Sequence, residues 1–212
     1  MKTAKERSRT YFSLDVEDVG HFNLVAIGAA LVHDPSKTFY VELQPRHFRY
    51  ELDAMRVACS ELDVLRSYEL QPQYNPRHKF FHPTKTIALL RAIATPIPHA
   101  MRGLDQWVRK NTRKNSIAMM APIPELFDGG RIDFYLHEYL QQSPFTFWGF
   151  DPYSAFCGLE KDEHADMSKL KDRIPKNERE HNAEADAVRQ AFLIQEVLKL
   201  LRGNNFCSED FI

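Results

Sequence analysis

The sequence predicts an α/β protein with a five-stranded mixed sheet flanked by helices. The first observation is a run of three strand-like segments, residues 11–17, 24–32 and 39–43, which short turns join into an antiparallel meander. The second is the alternation of helical and strand-like patterns in the rest of the chain. The third is the length of 212 residues, which suffices for one well-packed domain. We therefore expect residues 1–212 to form a single domain.

The three N-terminal strands are predicted from their apolar patterns. Side chains alternate along a strand, so Asp15 and Glu17 share one face of residues 11–17, and the apolar side chains of that segment take the other. Residues 24–32 are almost all apolar, which is typical of a strand buried on both faces. In residues 39–43 apolar and polar side chains alternate, which indicates a third strand.

The middle of the chain is less regular. An approximate helical pattern covers residues 51–66 and is broken near Ser60. Residues 68–98 contain five prolines, which forbid long regular elements. We interpret this Pro-rich stretch as an insertion or covering loop, with a short helix at residues 86–94.

The C-terminal half predicts alternating helices and strands. They are expected at residues 100–108 (helix), 116–121 (strand), 132–140 (helix), 145–150 (an aromatic strand) and 182–202 (a long amphipathic helix). Trp107 and Trp148 fall within apolar patterns and are predicted to lie in the core.

Composition narrows the classes of function. With 28 basic and 29 acidic residues the net charge is −1, which argues against a protein coated in positive charge for sequence-independent duplex binding. No run approaches the roughly 18 apolar residues of a membrane span. The three cysteines are widely spaced and lack metal-ligand spacing, so free thiols in a reducing compartment are expected. The sequence thus predicts an intracellular, cytoplasmic protein.

Carboxylates near both ends of the chain suggest a metal site. Asp15 and Glu17 are two like charges side by side on a predicted central strand, which is costly unless a cation lies between them. His181 and Asp186 stand at the start of the last predicted helix. Carboxylate oxygens suit divalent cations, and a histidine beside them suits a base that takes a proton.

The order of these residues resembles the DEDDh family of 3′–5′ exonucleases, within the ribonuclease H-like superfamily. Residues 13–17, Ser-Leu-Asp-Val-Glu, followed by residues 26–29, Ala-Ile-Gly-Ala, resemble its first motif. Residues 181–187, with the pattern His-x-Ala-x-x-Asp-Ala, resemble its third motif. The resemblance implies a ribonuclease H-like fold and a nuclease that acts on the 3′ ends of single-stranded RNA or DNA and releases nucleoside 5′-monophosphates.

The resemblance also implies roles for individual residues. Asp15, Glu17 and Asp186 would be ligands of two Mg²⁺ or Mn²⁺ ions, and His181 would be the general base. In this family a Thr usually follows the Glu of the first motif, where this chain has Asp18. Relatives in the family form dimers, so a homodimer is implied for this chain, and no membrane partner is expected.

Three aspartates compete for the second motif, in which the family has an Asp where a strand enters a helix. We favour Asp133, because it begins a predicted helix and lies at a family-like distance from His181. Asp151 is the alternative, since it directly follows the predicted aromatic strand, and Asp128 ranks third. Asp133 therefore completes the predicted metal site together with Asp15, Glu17 and Asp186.

A second hypothesis comes from another class of protein. Asp18 and the irregular second motif are also compatible with a catalytically inactive module that kept the exonuclease fold and binds nucleic acid or protein. The full set of acidic residues with His181 favours the enzyme.

Overall fold

The computed structural model describes residues 8–122 and 125–203, and the strands of this part form one mixed sheet. Its four strands are β1 (Ser8–Asp18), β2 (Leu24–Leu31), β3 (Asp34–Glu42) and β4 (Ser116–Met120). The spatial order is β3-β2-β1-β4. The first three strands are antiparallel neighbours, and β4 runs parallel to β1. The predicted meander is thus confirmed.

Seven α-helices are assigned in the described residues. They are α1 (Leu52–Ala58), α2 (Asp63–Arg66), α3 (Pro83–Ile93), α4 (Ile97–Asn111), α5 (Gly130–Leu140), α6 (Pro152–Glu160) and α7 (Ala183–Arg202). A π-helical turn, Glu125–Gly129, leads directly into α5, and a 3-10 helix spans Met167–Arg173. The predicted break near Ser60 separates α1 from α2, and the short helix predicted in the Pro-rich stretch is the C-terminal part of α3.

The predicted fifth strand is wrong as a regular element. Residues 145–150 do run beside β4, because the Thr146 amide donates to the Ala118 carbonyl at 2.9 Å and the Phe150 amide to the Met120 carbonyl at 2.9 Å. Between these two bonds the segment advances four residues, from 146 to 150, while β4 advances only two, from 118 to 120. The surplus residues bulge outwards instead of pairing.

This bulge changes the prediction for one tryptophan. Trp148 is 70% exposed and Phe147 is 93% exposed, so the prediction that Trp148 lies in the core is wrong. Trp107 packs against the main core and contacts the rings of Phe12 and Phe39, with centroid distances of 5.5 and 6.0 Å.

The two faces of β1 are buried by different helices. Phe12, Leu14 and Val16 belong to the core under α4 and α5. Tyr11 faces the other way, into a cluster with Ala187 and other side chains of α7. The alternation predicted for this strand is confirmed, and it places the face of Asp15 and Glu17 towards α7.

Helix α7 lies unusually close to the sheet at Gly28. A Cβ atom at Gly28 would lie 1.9 Å from the Ala183 carbonyl oxygen, so only glycine fits this position of β2. The helix presents small buried side chains at Ala183, Ala187 and Ala191. Gly28 is also the register partner of Asp15 in the adjacent strand. The N-terminal turn of α7 is thereby held against the part of the sheet that carries the acidic pair.

Within the described ranges, no helix combines the length and the apolar character that a membrane crossing requires.

We predict that Gly28→Ala lowers the free energy of unfolding by more than about 3 kcal/mol, because backbone rather than a flexible side chain occupies the space. Chemical denaturation followed by circular dichroism measures this loss. The matched control is Gly158→Ala in α6, an exposed position with no atom within 4 Å of the new Cβ. The control should stabilise by about 0.5–1 kcal/mol through helix propensity. Equal stability of both variants would contradict the close approach of α7.

Candidate active site

Two carboxylates of the site lie near the C-terminal end of strand β1. Glu17 is 8% exposed and Asp15 is half-buried, on the face of the strand that α7 covers. The Gln190 side-chain amide donates to Asp15 Oδ1 at 2.7 Å, which ties the strand to the second turn of α7. The pair predicted from alternation thus lies at the boundary between sheet and helix.

The third carboxylate belongs to the first turn of α7. Asn182 caps this helix by accepting a hydrogen bond from the Ala185 amide at 3.2 Å. Asp186 accepts hydrogen bonds from the Asn177 side-chain amide at 2.6 Å and from the His181 backbone amide at 2.9 Å. The loop that precedes α7 is therefore folded back onto the carboxylate.

His181 lies at the open side of this group. Its φ is 64°, in the left-handed region that non-glycine residues seldom occupy, and its side chain is exposed. Glu17, His181 and Asp186 each offer one possible metal-ligand atom, and these three atoms lie within 4.8 Å of one another. An outlying backbone conformation thus places an imidazole beside two carboxylates that come from opposite ends of the chain.

Asp128 is the fourth acidic residue of the cluster. It lies in the π-helical turn, is 3% exposed, and accepts a hydrogen bond from the Val16 backbone amide. That amide lies between Asp15 and Glu17 in the strand, and the charge of Asp128 acts on both of their carboxyls.

The pKa values of all four carboxyls are raised. Burial is the largest cause for each, and repulsion by neighbouring carboxylates adds to it for Asp15, Glu17 and Asp128. The pKa of Glu17 rises to about 10 and that of Asp128 to about 8. The pKa of Asp15 is also well above its ordinary value, and that of Asp186 is raised despite its hydrogen bonds. Hard oxygen donors that repel one another in a buried site fit divalent cations.

The structure does not bring the other two candidate aspartates to this cluster. The side chain of Asp133 on α5 is 52% exposed, and its Oδ1 lies 3.5 Å from Nε2 of His137 on the next turn. Asp151 caps α6, where its Oδ1 accepts from the amides of Tyr153 at 3.0 Å and Ser154 at 3.2 Å. Both carboxylates are thus engaged locally, within their own helices.

The sequence around Asp128 has the composition of a loop, which conceals the helical turn that carries this residue. Pro122, Pro124 and the pair Gly129-Gly130 suggest a loop that continues to residue 132. In the structure the π-helical turn begins at Glu125 and continues into α5, so Asp128 lies in the first turn of the helical segment after β4, five residues before Asp133.

Asp18, which stands where the family usually has Thr, is a structural anchor. Its side chain is 1% exposed, accepts from the Gly20 amide at 2.6 Å, and pairs with Arg131 Nε at 2.5 Å. The Arg131 guanidinium lies over the rings of Phe22 and Phe127, at 4.8 and 3.4 Å from their centroids. This ion pair ties the end of β1 to α5 and so fixes the turn that carries Asp128.

The sequence profile of the family described as "3′-5′ exoribonuclease Rv2179c-like domain" matches residues 10–198. The chain belongs to this family. It is also similar to the 3′-5′ DNA exonuclease Cap18 of Escherichia coli, with 24% identity over 209 residues that cover 94% of this chain and 96% of Cap18.

Two solved structures resemble this Rv2179c-like domain. The nuclease domain of 3′hExo, a DEDDh family member bound to rAMP, superposes with a TM-score of 0.61 at 10% identity, covering 94% of this chain and 96% of that one. Cell-death related nuclease 4 (CRN-4) superposes with a TM-score of 0.60 at 14% identity, covering 92% of this chain. The chain spans 65% of the CRN-4 chain.

These comparisons confirm the predicted family and fold class. The protein is a 3′–5′ exonuclease with the ribonuclease H-like α/β fold of DEDDh nucleases, and its sheet has four assigned strands in the described residues, where five were predicted.

We predict that Asp15→Asn stabilises the metal-free Rv2179c-like domain by roughly 1–3 kcal/mol at pH 7, because it removes a carboxyl whose charged form is disfavoured by burial and by its acidic neighbours. The asparagine Oδ1 can still accept the Gln190 hydrogen bond. The free energy of unfolding in EDTA is the measurement. A carboxyl with a raised pKa weakens the fold only above its unfolded pKa, so the gain should shrink steadily as the pH falls from 7 and should vanish near pH 4.

The control for this prediction is Asp133→Asn, which changes the same chemical group at an exposed position outside the cluster. We expect a change of at most about 0.5 kcal/mol. A loss of stability in Asp15→Asn would mean that the carboxylate makes net favourable contacts without metal.

Proposed function

We propose that this exonuclease domain uses divalent metal ions to hydrolyse single-stranded nucleic acid from the 3′ end, releasing nucleoside 5′-monophosphates. One observation carries the proposal: carboxylates from β1, the π-helical turn and α7 converge, with the His181 imidazole beside them. The family description and the Cap18 likeness support the direction of attack.

The proposed ligands of two Mg²⁺ or Mn²⁺ ions are Asp15, Glu17, Asp128 and Asp186. Asp128 takes the place of Asp133 in this set, because it shares the buried cluster and Asp133 does not. Bound divalent ions would activate the attacking water and stabilise the leaving 3′ oxygen. Hydrogen bonds from neighbouring groups orient the carboxylates, as the Gln190 side-chain amide does for Asp15.

His181 is proposed as the general base. Histidine titrates near neutrality, so a neutral imidazole can take the proton of the attacking water at physiological pH. The bond from the His181 amide to Asp186 fixes the backbone of the loop while the side chain stays exposed to the substrate.

The sugar preference is open to direct test, since the family is described as an exoribonuclease and Cap18 as a DNA exonuclease. The experiment uses 5′-labelled single-stranded RNA and DNA with Mg²⁺, Mn²⁺ or EDTA. A metal-dependent ladder that shortens from the 3′ end supports the proposal and shows which sugar is preferred. Intact substrate under all conditions, with folded protein, would contradict it.

We predict that Asp128→Asn lowers kcat by at least about 10³-fold, through the loss of a metal ligand. We expect His181→Ala to lower kcat by about 10²–10⁴-fold, as is typical for a lost general base. The control is Asp172→Asn, an exposed aspartate on the 3-10 helix, which should keep wild-type kcat. Activity of Asp128→Asn equal to that of this control would remove Asp128 from the site.

Metal binding distinguishes Asp128 from Asp133 without any turnover. Mn²⁺ at about 100 times its dissociation constant should stabilise the wild type by about 2.7 kcal/mol. We expect this gain to be largely lost in Asp128→Asn and kept in Asp133→Asn. The reverse pattern would restore the original prediction of Asp133.

We propose an intracellular location, because Cys59 and Cys157 are free thiols, as expected in a reducing compartment. A homodimer stays a prediction from the resemblance, and light scattering after size-exclusion chromatography tests it.

A further inference from the structure

A cavity of about 600 Å³ lies beside the turn that carries Asp128. Its apolar wall includes Met120, Pro122, Phe145 and Trp148, from β4, the residues after it and the outward bulge. The volume falls within the range of about 300–1,000 Å³ that is typical of small-ligand sites.

Trp148 is a large aromatic side chain that lies mostly in solvent. It lines this cavity and is 70% exposed, and its ring meets that of Phe147 edge-on at 5.6 Å. The bulge that holds both rings outwards is anchored at each end by a backbone bond to β4. A large aromatic surface held in solvent by a fixed backbone is not part of a core and is available for stacking on a flat ligand.

The cavity adjoins the proposed metal site. Gly129 and Gly130 line it, and Gly129 directly follows Asp128 in the same π-helical turn. A Cβ at Gly129 would lie 2.9 Å from Pro122 Cγ, so the turn packs tightly against the cavity wall. A ligand in the cavity would therefore be a close neighbour of a phosphodiester held at the carboxylates.

The chemistry of the lining selects the class of ligand. The described residues that line this cavity include the Asp133 carboxylate and no Lys or Arg, so the cavity does not suit a phosphate. Ser143, Thr146 and His137 add hydrogen-bonding groups beside the aromatic wall. A flat, uncharged ring with polar edges matches this combination, and nucleobases are such rings.

We propose that this cavity binds a nucleobase of the single-stranded substrate, close to the scissile phosphodiester, and that Trp148 stacks on it. The proposal rests on the nuclease function above and adds a base subsite to it. Stacking accepts every base, so the subsite favours unpaired strands without reading their sequence.

Tryptophan fluorescence tests the contact without cleavage. The chain has two tryptophans, and Trp107 is packed against the core. We titrate His181→Ala in Mg²⁺ with oligo(dT) or oligo(U) and expect saturable quenching of the exposed emission. His181→Ala/Trp148→Leu, which retains Trp107, should bind without quenching. Equal quenching in both proteins would overturn the proposal. Binding of the oligonucleotide to His181→Ala without any quenching would also overturn it.

Kinetics with a substrate that lacks bases provides the second test. Trp148→Leu should raise KM for the normal oligonucleotide about tenfold, the scale of one lost base stack, and Trp148→Phe should restore most of the affinity. For a strand with abasic residues at its three 3′-terminal positions, Trp148→Leu should change KM less than twofold. An equal rise with both substrates would assign Trp148 a structural role and contradict base binding.

The two proposals fail in different ways. Quenching without cleavage by the wild type would contradict the nuclease mechanism and leave the base site standing. Cleavage that is unaffected by Trp148→Leu, with no quenching, would contradict only the base site.

Discussion

The approach of α7 to the sheet at Gly28 is the constraint on which the site depends. A Cβ at this position would meet the Ala183 carbonyl oxygen at 1.9 Å, so any other residue would push the helix outwards. The buried alanines of α7 continue this close packing along the helix. Because Gly28 is the register partner of Asp15, the closest point of the contact coincides with the acidic strand. Asp186 and Gln190 reach β1 for this reason.

The same packing explains why the pKa values of the acidic side chains in the site are raised. Burial raises the pKa values of the four carboxyls that the fold brings together, and repulsion by neighbouring carboxylates raises those of Asp15, Glu17 and Asp128 further. A protein without a use for this cluster would be more stable with fewer charges there. Asp18 shows the contrast, since its buried side chain lies at the end of the same strand and has its own cation, Arg131. The fold thus supplies a protein counter-ion for the structural aspartate, whereas the divalent ions proposed above would neutralise the cluster.

The sequence predicted the parts of the fold whose signals are local. Alternation in residues 11–17, the apolar run of β2 and the amphipathic pattern of α7 each depend on near neighbours in the chain, and the structure bears all three out. Asp15, Glu17, His181 and Asp186 meet because these elements pack as predicted. Asp128 was ranked third because prolines and glycines around it imitate a loop, whereas a π-helical turn begins the helix there. Trp148 was misplaced because an apolar run does not reveal that its segment has two residues more than β4 can pair.

That failure of pairing gives the site a second kind of surface. A regular fifth strand would have turned alternate rings of residues 145–150 into the core, and the adjacent rings of Phe147 and Trp148 would not both be exposed. The bulge holds Trp148 at the rim of a cavity that has no Lys or Arg in its lining. The carboxylate cluster and this cavity share the Asp128–Gly129 turn, so one short segment contacts both a group of acidic side chains and a cavity with an aromatic wall. A nucleotide has the same division, with a charged phosphodiester and a flat uncharged base. The turn is therefore the element whose geometry would couple the position of the base to the position of the scissile bond.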